Sequence, residues 1–368
     1  MSKKGKVLVA MSGGIDSTVA AVMLHEQGYE VVGITMKTWD YATAGGSKKE
    51  TGCCSLDSIN DARQVAVDLG FNHFIVDIRE EFGDFVINNF VDEYLAGRTP
   101  NPCVLCNTHI KWEALLKRAD ALDCEFIATG HYAQLNQLDQ RYFVSKGLDE
   151  NKDQSYVLWG ISQACLSRTI FPMGQYTKPA IKQMARDMGY FAIANKAESY
   201  EICFVPDNDY RGFLRRKMPE LDEKVKGGNF IDKNGKILGK HEGYPFYTIG
   251  QRKGLGMAFG KPMFVTAIYP ENNTVELGEE PELNKSGMWV GKLNLQKYAT
   301  INTEMDAVVK VRYKHDGEAA KVKMVDDRLK VEFLTNVSAI APGQSAVLYE
   351  GKDLVGGGII FSNFDIEK

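Results

Sequence analysis

The chain has 368 residues, 44% of them hydrophobic and 25% charged. That composition excludes a disordered, fibrous or coiled-coil chain and suggests two or three domains. The 44 Lys+Arg against 48 Asp+Glu leave a net charge of -4, which as an average does not describe a wholesale basic nucleic-acid binder; the seven cysteines are odd in number and cannot all pair within the chain.

The first apolar run covers only residues 7–11 and meets glycines at once, too short for a signal-peptide core. No stretch reaches the ~18–20 apolar residues that span a bilayer. A cytoplasmic location without membrane attachment is therefore expected, where thiols stay reduced. A buried strand is predicted over 6–11, a turn at Ser12-Gly13-Gly14, and a helix over 16–27 that stops at Gly28. A strand at 30–36, a helix at 56–69 stopped by Gly70 and a strand at 71–76 follow. Then come a long helix at 81–96 stopped by Gly97, a helix at 111–122 and a strand at 125–129 ending at Gly130-His131. Buried strands alternating with helices imply a Rossmann-like parallel sheet, with ligands beyond the carboxyl ends of its strands. Ser12 to Ser17, Met36, Gly130 and His131 share that edge.

The texture changes near Pro206. Residues 211–262 hold ten glycines and 12 Lys+Arg against 5 Asp+Glu, so this stretch carries +7 and the remainder -11. Short, often alternating runs from about 263 onward, separated by turn residues, suggest an all-β barrel or sandwich that includes 263–269 and 274–277. The expected architecture is α/β: a catalytic domain over 1–207, a small basic Gly-rich domain over 208–275 and a C-terminal barrel-like β domain over 276–368.

Ser12-Gly13-Gly14-Ile15-Asp16-Ser17 joins a buried strand to a helix. Its glycines let backbone N–H groups approach a phosphate, and the helix N-terminus adds positive potential. Asp16 could hold a phosphate-bound Mg²⁺. The plainer alternative is a capped helix after a glycine turn. No lysine follows the glycines, so this is not the G-x-x-x-x-G-K-[ST] loop. The full string resembles the PP-loop signature of the ATP pyrophosphatases. The resemblance implies ATP binding at Ala10, Met11, Ser12, Gly13, Gly14, Ile15, Asp16 and Ser17, AMP transfer with pyrophosphate leaving, and adenosine contacts from Met36 and Gly130.

Cys103-Val104-Leu105-Cys106 follows Asn101-Pro102, at a turn before the helix predicted from 111. Three readings stay open: half of a zinc site, a structural turn, or a low-pKa nucleophile near Arg98 and Lys111. Cys203 lies in Glu201-Ile202-Cys203-Phe204-Val205-Pro206, at the change of texture. Two such cysteines beside an ATP-activating turn suggest sulfur chemistry through a persulfide and a disulfide. Cys124 and Cys165 read as apolar filler, and Cys53-Cys54 has no role legible in the pattern.

Four strings together resemble the tRNA-uridine 2-sulfurtransferases of the MnmA/TrmU family: 12–17, 101–107 with Ile110-Lys111, Lys152-Asp153-Gln154-Ser155-Tyr156, and 201–206. Ile249-Gly250-Gln251-Arg252-Lys253-Gly254-Leu255-Gly256 also looks like the family's, and the match spans essentially the whole chain in the family's order. The resemblance implies that ATP, with Mg²⁺, adenylates O2 of the wobble uridine in a tRNA anticodon loop, and that sulfur then displaces AMP. It implies that Cys106 attacks the activated carbon, that Cys203 carries a persulfide delivered by a cysteine desulfurase or sulfur carrier protein, and that the two end as a disulfide. Asn101, Pro102 and Cys103 would border the target base. His131, Lys152, Asp153, Gln154, Arg312, Tyr313 and Gln344 would contact tRNA, with Tyr244, Phe246 and Tyr247 adding aromatic surface to the basic stretch. Some relatives carry Asp where this chain has Cys103, so a carboxylate base is excluded there. The competing readings are a PP-loop ligase or amidating enzyme acting on a small carboxylate, and a zinc-containing RNA-binding module.

Overall fold

The computed structural model describes residues 4–39, 55–196 and 202–365. Cys53, Cys54 and Glu201 lie outside them. The chain divides into two compact units, the first comprising Met1–Val86, Cys103–Asp209 and Lys352–Leu354, the second Ile87–Pro102, Tyr210–Gly351 and Val355–Lys368.

In the first unit, strand β1 (Lys6–Ala10) is central. Its Val7, Leu8 and Val9 are fully buried, as the unbroken apolar run requires of a strand covered on both faces. β1 pairs in parallel with β2 (Glu30–Lys37) on one side and β4 (Phe126–Ala128) on the other. β3 (His73–Asp77) adds beyond β2, and Thr169–Ile170, which the sequence pattern missed, adds a short fifth strand beyond β4. β3 is not the buried strand expected: Phe74 is 42% and Ile75 44% exposed, because β3 is a sheet edge.

Helix α1 (Ile15–Glu26) connects β1 to β2 and is buried from Ile15 to Leu24 with little interruption. Helix α2 (Leu56–Leu69) starts at Ser55, whose side chain accepts from the Ser58 N–H, and stops at the left-handed Gly70. The segment 79–95 is helical throughout, with a π-helical stretch at Gly83–Ile87. The helix expected from 111 begins earlier. Pro102–Leu105 is its first turn, Cys106–Glu113 is π-helical and Ala114–Ala121 completes it. Proline suits the opening position because its missing N–H costs nothing there. The two cysteines therefore sit on a helix and not on the turn before it.

The second unit holds two β structures. Gly228–Ile231 and Ile237–His241 pair antiparallel, and Phe264–Tyr269 and Thr274–Gly278 join them in one four-stranded sheet. The strands expected over 263–277 as barrel strands thus belong to the central sheet. The barrel proper has six strands: Asn284–Leu295, Met305–Lys310, Glu318–Val325, Arg328–Ser338, Ser345–Glu350 and Asp353–Phe364. Pairing of the first with the last closes it, which removes the open edges that a sheet of this length would expose. Its core is aliphatic, including Val290, Val309, Val322, Val331, Leu348 and Ile360.

Candidate active site

The turn after β1 is held by its own side chains. Ser17 Oγ donates to the Gly14 carbonyl at 3.0 Å and accepts from the Ser12 N–H at 3.1 Å. The Ser12 and Ser17 hydroxyls lie 3.2 Å apart. Gly13 has φ +69°, and a Cβ there would fall 1.9 Å from the Ser58 carbonyl oxygen of α2. Gly14 occupies the N-cap of α1 and offers no side chain to cap it, so the first-turn N–H groups are left for an anionic ligand. Gly130, just past β4, packs on the other side: a Cβ there would lie 2.7 Å from the Asp16 carbonyl carbon and 2.8 Å from the Ser17 nitrogen.

Met11 and Ile15 are 2% and 6% exposed and belong to the core. The Met11 N–H donates to the Ile34 carbonyl and its own carbonyl accepts from Thr35 Oγ1 at 2.7 Å. These two residues anchor the turn to the sheet. Ala10 and Met36 are half-buried at the same edge.

Two partners of the turn have no signal in the sequence pattern. Lys178 opens the helix Lys178–Asp187, and its Nζ lies 2.7 Å from both Asp16 carboxylate oxygens. Tyr132 Oη donates to Asp16 Oδ1 at 2.7 Å. Asp16 precedes Lys178 by 162 residues, so no local spacing could link them.

The cysteine helix lies in the same unit as the turn, as does Cys203. Cys103 and Cys203 are exposed and Cys106 is half-buried, all three as thiols. Although solvent reaches Cys103, the surrounding protein raises its thiol pKa above the ordinary value, with Lys111 pulling the other way. Asn107, beside Cys106, is 1% exposed and its Nδ2 donates to the Val157 carbonyl at 3.0 Å. Helix, turn and β4 thus bring Cys106, Ser12 and Gly130 into one folded unit, although they are far apart in the chain.

Three family models match in order: a tRNA methyl transferase HUP domain over residues 5–207, a tRNA methyl transferase PRC-barrel domain over 212–279 and an aminomethyltransferase beta-barrel domain over 285–360. The chain is 66% identical to the tRNA-specific 2-thiouridylase MnmA of Cytophaga hutchinsonii over 99% of each chain. The corresponding protein of Amoebophilus asiaticus is 62% identical over 98% of this chain and 96% of its own, and that of Salinibacter ruber 57% over 98% and 95%. The chain belongs to the tRNA-specific 2-thiouridylase family. It therefore belongs to a family of sulfurtransferases, on the α/β and β-barrel architecture that its sequence resembles.

Within this thiouridylase-family chain, several residues expected at the RNA are occupied by structural bonds. His131 is 8% exposed, its Nδ1 lies 2.8 Å from Thr129 Oγ1 and its ring rests against Trp112. Burial, with Lys111 adding to it, holds its pKa well below the usual histidine value, so it is a neutral group. Asp153 accepts from the N–H groups of Gly147 and Ser155 and from Ser155 Oγ. Gln154 pairs with the backbone of Tyr132 through both its own N–H and its Oε1. Lys152 lines a surface cleft with Asp149, Asn151, Lys182 and Arg186.

In the second unit, Gln344 Nε2 donates to the Thr99 and Pro100 carbonyls, at 3.1 and 2.8 Å, just before Asn101 and Pro102. Arg312 is exposed with Nη1 3.1 Å from the Ser338 carbonyl, and Tyr313 is 43% exposed. Phe246 and Tyr247 are buried at 0% and 4% exposure, and Tyr244 Oη donates to the Leu95 carbonyl at 2.6 Å. Phe246 and Tyr247 are core and leave no face for a base to stack on, contrary to expectation, while Tyr244 is half-buried. They give the glycine-rich sheet the apolar core that its short strands lack.

Proposed function

We propose that this chain thiolates the wobble uridine of tRNA at C2, using ATP. The observation that carries the reading is the stapled, uncapped turn at Ser12–Gly14 in one unit with the Cys106 helix and Cys203. A pyrimidine carbonyl oxygen is a very poor leaving group, and adenylation converts it into one that departs. Uridine O2 attacks the α-phosphate of ATP and pyrophosphate leaves with the electron pair. The Cys106 thiolate then attacks C2 and AMP leaves with the original oxygen. The terminal sulfur of a Cys203 persulfide attacks C2 in turn and displaces Cys106. Cys106 attacks Cys203 Sγ, the S–S bond breaks, and its electron pair stays with the sulfur on C2 as the thiocarbonyl. A Cys106–Cys203 disulfide remains, which an external thiol reductant must open before the next turnover.

The target base leaves its stack for this chemistry, at a cost of a few kcal/mol that is smallest in a single-stranded anticodon loop. Asn101, Pro102 and Cys103 border it in this reading, Lys152 and Arg312 meet backbone phosphate, and Met36 and Gly130 meet the adenosine. Gln344, Asp153 and Gln154 act by holding the loops that present these groups, and His131 as a neutral hydrogen-bonding group.

Asp16 does not fit the role of magnesium ligand: Lys178 takes both of its oxygens and Tyr132 one of them. No step here runs through a protein-held metal. The sulfur enters as a persulfide from a cysteine desulfurase or sulfur carrier protein. The work is done in the cytoplasm, and among the described residues no helix is long and apolar enough to cross a membrane.

The test is mass spectrometry of tRNA incubated with the protein, ATP and sulfide, which bypasses the natural donor. A gain of one sulfur for one oxygen, with pyrophosphate and AMP released, is expected. A methyl-sized mass gain, or ADP and orthophosphate as products, would overturn the reading. Cys106→Ser and Cys203→Ser are each expected to abolish thiolation with a persulfide donor while ATP binding survives.

A further inference from the structure

The turn at Ser12–Ser17 and the thiol of Cys106 have to act on one base, and a misplacement of about 1 Å can slow such a reaction about a hundred-fold. One segment ties the two together. Residues 154–160 run from Gln154 through the short 3-10 helix Ser155–Leu158 to Gly160. Ser155, Tyr156 and Leu158 are fully buried, which leaves this segment little freedom. At its start Gln154 is clamped to Tyr132: its N–H donates to the Tyr132 carbonyl at 3.0 Å, and its Oε1 accepts from the Tyr132 N–H at 2.9 Å. The Tyr132 hydroxyl in turn reaches Asp16 of the turn at 2.7 Å. In the middle, the Val157 N–H donates back to the Gln154 carbonyl, and the Val157 carbonyl accepts from Asn107 Nδ2 at 3.0 Å. At its end Gly160 meets the cysteine helix so closely that a Cβ there would fall 2.2 Å from Thr108 Oγ1.

Asn107 is a costly way to fill its place. It is 1% exposed, and among the described residues its Oδ1 has no hydrogen-bond partner. A buried carbonyl oxygen in that condition loses the bonds it had in water, and an apolar side chain of similar volume avoids the loss. What the amide supplies is one directed bond to Val157, immediately beside Cys106. The helical turn it holds, Cys106–Glu113, is π-helical, a rare geometry that occurs mostly at functional sites.

We propose that Asn107 is a positioning residue for Cys106, the last link of a strut that runs from Asp16 through Tyr132, Gln154 and Val157. The strut sets the thiol against the uridine that the turn has activated. This assignment rests on the reading of Cys106 as the nucleophile toward an adenylated uridine. Asn107 touches neither ATP nor the base in it, and acts only by placing its neighbour. Activation is then indifferent to Asn107, and sulfur transfer is not.

Single-turnover kinetics, with the full-length chain in excess over tRNA, separate the two steps. A cysteine desulfurase with cysteine supplies the persulfide. Pyrophosphate release reports adenylation, and mass spectrometry of the tRNA reports thiolation. Asn107→Ala is expected to leave pyrophosphate release within about two-fold of wild type and to slow thiolation at least about ten-fold, so that adenylated tRNA accumulates. A loss of structure alone slows both steps together. Gly160→Ala presses on the same helix from the other side of the contact and is expected to give the same split. Thr108→Ala/Gly160→Ala removes the hydroxyl in the way and is expected to restore thiolation. Equal slowing of both steps in Asn107→Ala, or unchanged thiolation, makes Asn107 a core amide and overturns the assignment. If Asn107→Ala does not fold, Gly160→Ala and its double variant decide the matter on the same two rates. A wild-type chain that releases no pyrophosphate with tRNA, or a Cys106→Ser chain that thiolates normally, sinks the underlying reading instead.

Discussion

Cys103 stands where a carboxylate base would be convenient, and its surroundings decide what it can do there. Desolvation raises its pKa, so at neutral pH it is an uncharged thiol and not a base. Alkylation by iodoacetamide, followed by peptide mass spectrometry, should be slower at Cys103 in the folded chain than in the denatured chain at pH 7. It should still be rising as pH passes 9; equal rates in the two states would contradict the shift. The buried and half-buried histidines act together. His73, His131, His241 and His315 all have lowered pKa values, His241 to about 4, with burial the largest cause in each. Below about pH 6.5 the unfolded chain takes up protons that the folded chain refuses, so stability falls as pH falls through this window. The melting temperature is therefore expected to be lower at pH 5.5 than at pH 7.5, and a flat profile would refute the shared shift. The identity of these residues was legible in the sequence. Their protonation was not, because it depends on neighbours such as Trp112 and Lys111 whose proximity only the fold creates.

At the scale of elements, the turn shows which glycine the fold needs. Gly13 has both a left-handed φ and the Ser58 carbonyl at van der Waals overlap, whereas Gly14 has φ -92° and meets only Ser12 Oγ at 3.4 Å. Gly13→Ala is expected to cost at least about 2 kcal/mol and to abolish ATP binding, since relief requires moving either the turn or α2. Gly14→Ala should cost about 0.5–1 kcal/mol, the ordinary penalty of a poor N-cap. Thermal melts and ATP titration of both variants decide it, and equal losses would mean the α2 contact carries no weight. The strand–turn–helix unit was readable from its buried run and its punctuation. The start of the cysteine helix was not. Pro102 read as a turn residue because proline marks both turns and first helical turns, and the π-helical stretch blurs the spacing that locates helices. Buried strands and edge strands likewise share a composition, so β3 read as covered when it is not.

For the molecule as a whole, the average charge of -4 hides a +7 stretch over 211–262, but proximity reduces what that stretch offers to RNA. Arg215 bonds Asp222 at 2.9 Å and Glu242 at 2.9 Å, and its guanidinium lies 4.2 Å from the centroid of the Phe246 ring. Lys224, Lys226, Lys233 and Lys261 each meet a carboxylate, Lys233 and Lys261 through Glu282 and Glu279 from beyond the stretch. Exposed pairs of this kind add little stability, yet they tie up charge. A count of residues within the stretch could not reveal this, because it does not show which charges meet, and Glu279 and Glu282 lie elsewhere in the chain. Arg252 and Lys253 differ, being exposed on the glycine-rich loop between Thr248 and Phe264. Each phosphate contact releases counterions and adds roughly 0.7–0.9 to the slope of log affinity against log salt. Arg252→Ala/Lys253→Ala should therefore weaken tRNA binding at 0.1 M salt and lower the slope by about one to two, with little change in melting temperature. Lys224→Ala removes the same kind of charge from an exposed pair and should leave the slope nearly unchanged. Filter binding across a salt series reads both. If the slope falls in proportion to the charges removed, two for the loop variant against one for Lys224→Ala, total charge governs RNA capture; if only the loop variant lowers it, the exposed charge of the loop is where tRNA phosphate meets this surface.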